Sequence, residues 1–95
     1  MSATAPTSSG AVALGAAQVG FAGRIRAVRV SADLHGLPAE ELERRLIELG
    51  FVEGARVELL HEGLFGRDPI AVRVNEATVA LRRRDAASIL VEPDR

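Results

Sequence analysis

Pro69 to Arg82 reads PIAVRVNEATVALR, and this stretch decides the fold. Ile70, Val72 and Val74 alternate with Ala71 and Arg73, the period of two expected of a half-buried strand. Asn75-Glu76 follows as a tight turn, asparagine being tolerant of positive φ. The chain then returns over Ala77 to Arg82 with Val79 and Leu81 on the inward face. Two alternating runs joined by a tight turn make a β-hairpin.

Working outward, Arg56 to Glu62 also alternates, with Val57 and Leu59 inward, and Gly63 to Asp68 reads as a loop. On the C-terminal side, Asp85 to Ser88 forms a helical turn with Asp85 near its start, and Ile89 to Val91 a last short strand. Upstream lies one helix. Pro38 suits its first position, and Glu40 and Glu41 complement the positive end of its dipole. Leu42, Leu46 and Leu49 fall on one stripe, which predicts a buried face. Glu40 with Arg44, and Glu41 with Arg45, are spaced for i,i+4 ion pairs, and Gly50 closes the helix as a left-handed cap. Before the helix comes Ser31 to Leu37, a loop, and before that Gly20 to Val30, extended but with a shift of apolar phase that predicts a bulge or sharp bend. Small barrels close through such bends. The expected architecture is mainly β: a barrel of about five strands, with one α-helix after the first strand and a helical turn before the last. Residues 1–13 are expected as a flexible tail, 14–92 as the barrel and 93–95 as a C-terminal tail.

Ninety-five residues suit a single domain. With three Phe, no Tyr and no Trp, the core must be built from Val, Leu, Ile and Ala. No cysteine is present, which removes disulfides and thiolate metal sites. A formal net charge of −1 disfavours bulk attraction to nucleic acid or anionic lipid. The apolar run from Ala11 to Gly23 is too short to span a bilayer and is broken by Gln18 and glycines, so a cytoplasmic protein without membrane insertion is expected. Catalysis is not: Ser2, Ser8 and Ser9 crowd the tail, Ser31 and Ser88 have no paired histidine, and Gly10 to Gly15 lacks the lysine of a phosphate loop.

The segment RRLIELGFVEG, Arg44 to Gly54, resembles the helix-to-turn signature of the FeoA family. The family's later features follow in order: a strand at Val57–Leu60, the loop Gly63-Leu-Phe-Gly66, Asp68-Pro69-Ile70, Ala80-Leu81-Arg82, and a helical turn at Asp85-Ala86-Ala87. The resemblance covers about Leu14 to Val91. Glu53 stands where the family often has proline, and Arg67 is inserted between Gly66 and Asp68. It implies an SH3-like barrel and an accessory role in bacterial ferrous-iron uptake, with the cytosolic GTPase region of the FeoB transporter as partner. A similar fold forms the C-terminal domain of diphtheria-toxin-repressor-like regulators, but too few residues precede the barrel for a helix-turn-helix. A stand-alone regulatory or metal-sensing module and an RNA-binding barrel are the alternatives.

Candidate contact residues follow from exposure patterns. Ile47 lies roughly 100–160° from each leucine of the helix stripe, beside Arg44. Either a neighbouring segment covers it or it anchors a partner. Leu64 and Phe65 sit between glycines, either folding back to plug the barrel or forming a contact patch. Arg82, Arg83 and Arg84 are consecutive, suiting a solvated edge with a local pair to Asp85 or a docking point for carboxylates. His35, near Asp33, and His61, beside Glu62, do not converge, so neither a metal site nor a cofactor is expected. Exposed strand edges leave self-association open.

Overall fold

The computed structural model describes residues 10–30 and 38–94. The loop expected over Ser31 to Leu37, with Asp33 and His35, lies outside the described residues, as do most of the N-terminal tail and Arg95. Among the described residues the elements run β1 (Val12–Ala13), a 3-10 turn (Leu14–Ala16), β2 (Ala22–Val28), α1 (Ala39–Glu48), β3 (Arg56–Phe65), β4 (Asp68–Val74), β5 (Ala77–Leu81), α2 (Arg83–Ala86) and β6 (Ile89–Pro93). The strands form one antiparallel sheet in the order β1-β6-β2-β3-β4-β5, curled around a single core as an SH3-like barrel.

The β4–β5 hairpin forms as the alternation requires. Ile70, Val72 and Val74 are buried, Val74 pairs with Ala77 across the turn, and Asn75 takes φ 57°. Val57 and Leu59 are fully buried opposite them. The phase shift in the first long run is a bulge. Ile25 pairs with Val91 and Ala27 with Leu90, leaving Arg26 as the extra residue that bends β2.

At the end of α1, Gly50 N–H donates to Ile47 O at 2.9 Å and Phe51 N–H to Leu46 O at 3.0 Å. With Gly50 at φ 107°, this is a Schellman closure. It turns Phe51 straight into the core, where it packs fully buried with Leu46. A phenylalanine buried this way against leucine and valine contributes on the order of 2–3 kcal/mol.

Several expectations need correction. The barrel has a sixth strand: β1, within the segment expected as tail, pairs Val12 with Val91 and Ala13 with Leu90. α1 therefore follows the second strand, and β6 runs on to Pro93. The loop expected over Gly63 to Asp68 is mostly strand, because β3 continues to Phe65 and only Gly66-Arg67 turn. Leu49 is 38% exposed, since it caps α1 where the chain leaves the helix and does not share the burial of Leu42 and Leu46. α2 begins at Arg83, not Asp85. In addition, neither expected ion pair on α1 forms: the salt bridges among the described residues are Arg56 with Asp94 and Arg83 with Glu62. Exposed side chains on one helix gain little from holding such a geometry.

Candidate docking surface

Three groups of residues carried the expectation of a contact surface, and the fold treats them differently. On α1, Arg44 is exposed and Ile47 is 45% exposed, one turn apart on the same face. Beside them lies a shallow groove of about 330 Å³, floored by Ala27, Val28, Ile47 and Val52 and rimmed by Arg26, Glu43 and Glu53. Val52, 42% exposed, is a residue the sequence reading passed over. Its signal was present: after Gly50 two apolar residues follow in an irregular segment, and once Phe51 turns inward Val52 must face out.

Leu64 and Phe65 end β3, 93% and 88% exposed. Phe65 does not plug the barrel. It stands at the tip of the β3–β4 hairpin, held by the pairing of Phe65 with Asp68 across the Gly66-Arg67 turn. Exposing a whole phenylalanine and leucine to water costs a few kcal/mol relative to burying them, which makes this adjacent pair a candidate contact feature.

The three arginines diverge. Arg82 and Arg84 are exposed, whereas Arg83 is drawn into the fold. Its Nη1 donates to Gly15 O at 3.0 Å and Ala17 O at 2.8 Å, its Nη2 to Glu62 Oε1 at 2.9 Å, and its Nε to Arg67 O at 2.8 Å. The backbone N–H of Arg83 also donates to Asp68 Oδ1 at 2.9 Å. With its guanidinium donors spent on three other parts of the chain, Arg83 is a tie and not a docking cation. Its carboxylate is Glu62 and not Asp85. The tie also sets Arg82 and Arg84 beside the Arg67-Asp68 end of the β3–β4 hairpin. The contact candidates thus fall into two clusters at opposite ends of β3, with Ile47 and Arg44 near its start and Leu64 and Phe65 at its finish.

His61 and Glu62 are neighbours on β3, and no group of three or more potential ligands converges among the described residues. Nor, among them, is any helix long and apolar enough to cross a membrane.

The family model described as the FeoA domain matches residues 12–93, from the first residue of β1 to the last of β6. This protein belongs to the FeoA domain family. That family is associated with ferrous-iron transport. The chain is similar to the zinc-complexed FeoA of Stenotrophomonas maltophilia, at 32% identity and TM-score 0.67 over 86% of this chain and 94% of that one. That protein is described as a prokaryotic SH3 domain protein and a candidate ferrous-iron-transport activating factor. FeoA from Chlorobium tepidum matches at 28% identity and TM-score 0.67, covering 85% of this chain and 70% of that one. A manganese-dependent transcriptional repressor matches at 23% identity and TM-score 0.69, over 88% of this chain and 42% of that one, and shares the fold alone. No curated protein matches the chain significantly.

Proposed function

We propose that this FeoA-family protein supports ferrous-iron uptake by docking on the cytosolic GTPase region of a FeoB-type transporter, acting by binding and not by catalysis. The observation that carries this reading is the family match across the whole barrel, joined to an apolar groove with a charged rim on α1. Ile47 and Val52 supply a small desolvatable centre, and Arg26, Glu43 and Glu53 surround it with groups that fix orientation. A centre of this size fits a transient contact better than an obligate one.

Calorimetric titration of the purified protein into the transporter's cytosolic region, alone and with GDP or a GTP analogue, tests the reading directly. Saturable binding is expected. Ile47→Asp should abolish it while shifting the melting temperature by only a few degrees, because a residue already 45% exposed holds little of the core. A large loss of stability in that variant would mark Ile47 as a core residue, and the absence of heat in every nucleotide state would overturn the partner assignment.

A further inference from the structure

We infer that this protein forms a reciprocal dimer in which the Leu64-Phe65 tip of each copy enters the α1 groove of the other. The chain carries both halves of such a contact. One half is convex: Leu64 and Phe65 at the end of the β3–β4 hairpin, with Arg67 in the turn beside them. The other is concave: the groove floored by Ala27, Val28, Ile47 and Val52.

Their charges match. Glu43 and Glu53 on the groove rim outnumber Arg26, so the rim is net negative, and none of the three takes part in a salt bridge among the described residues. At the tip the nearest cation is Arg67. Its backbone carbonyl is held by Arg83, but its guanidinium enters no ion pair there. An apolar tip with a cation at its shoulder therefore faces an apolar groove edged with carboxylates.

Distance makes the contact intermolecular. Glu53 precedes β3 and Phe65 ends it, so a ten-residue strand, roughly 30 Å long, separates groove from tip. No tip can reach its own groove. Two copies laid antiparallel along β3 bring each tip to the other's groove, and the two-fold axis closes the assembly with two equivalent contacts. The apolar centres are small, so the dimer is weak, its dissociation constant on the order of ten to several hundred micromolar. This inference does not depend on the transporter: it stands or falls on the self-association of the chain alone.

Sedimentation equilibrium of the full chain tests it with two charge variants, Arg67→Glu and the double variant Glu43→Arg with Glu53→Arg. The wild-type mass should rise from 10.1 kDa toward twice that value as concentration approaches about 1 mM. Each variant alone sets like charge against like at both contacts and should dimerise at least about tenfold more weakly. An equimolar mixture of the two variants restores opposite charges at both contacts, one native and one exchanged, and should recover the dimer. Phe65→Ser removes an exposed ring without touching the core and should also be monomeric. A wild type that stays monomeric, variants that dimerise as the wild type does, or a mixture no better than its components would each overturn the inference.

Discussion

Arg83 shows how one side chain decides what its neighbours can do. Two of its nitrogens reach three carbonyls, Nη1 those of Gly15 and Ala17 and Nε that of Arg67, while Nη2 meets the Glu62 carboxylate, and the side chain is only 15% exposed. A planar guanidinium can serve several acceptors at fixed angles, which lysine cannot. Removing it leaves carbonyls of the N-terminal turn without their donor, and charge-assisted bonds of this kind contribute roughly 1.5–3 kcal/mol each before compensation by water. Arg83→Ala is therefore expected to destabilise the protein by about 2–3 kcal/mol in urea denaturation, with Arg83→Lys recovering only part of the loss. The equivalent change at exposed Arg82 or Arg84 should stay within ~0.5 kcal/mol. Nothing in three consecutive arginines distinguishes the middle one. Its role depends on Gly15, 68 positions away, and local pattern carries no such information.

At the scale of elements, the β3–β4 hairpin is where sequence and structure part most. Gly63-Leu-Phe-Gly66 reads as a loop because glycines bracket it, yet the strand continues through Gly63. The reason is steric. A Cβ on Gly63 would lie 2.0 Å from the Asp68 carbonyl oxygen and 2.6 Å from its carbon, so the glycine lets two backbones cross closely at the register shift between Glu62 and Phe65. Gly63→Ala must then push β4 away and swing the Leu64-Phe65 tip. We expect a loss above ~2 kcal/mol, with amide exchange accelerated first at Leu64 to Ile70. An Ala variant as stable as the wild type would mean that the hairpin base is looser than its geometry. By contrast, the β4–β5 hairpin, the bulge in β2 and the Gly50 cap were legible, because each is encoded by residues within a few positions of one another. Of the candidate docking surface, the exposure of Ile47 was legible from its helical phase, whereas the groove needed the placement of β2 against α1.

For the whole molecule, the ends of the chain complete the barrel. β6 lies between β1 and β2 in the sheet, and Ile89 and Val91 are fully buried. Deleting β6 would expose both side chains and leave β1 without a partner. A chain ending at Ser88 should show no cooperative melting transition, and a residual native-like transition there would make β6 dispensable. The arrangement also bears on synthesis. The first strand's partner is the last strand of the barrel to be made, so β1 and the acceptors of Gly15 and Ala17 wait for the β6 and α2 residues to emerge from the exit tunnel. Folding of the barrel thus awaits the emergence of β6, and products terminated before it never acquire a native state that could shield them from proteases.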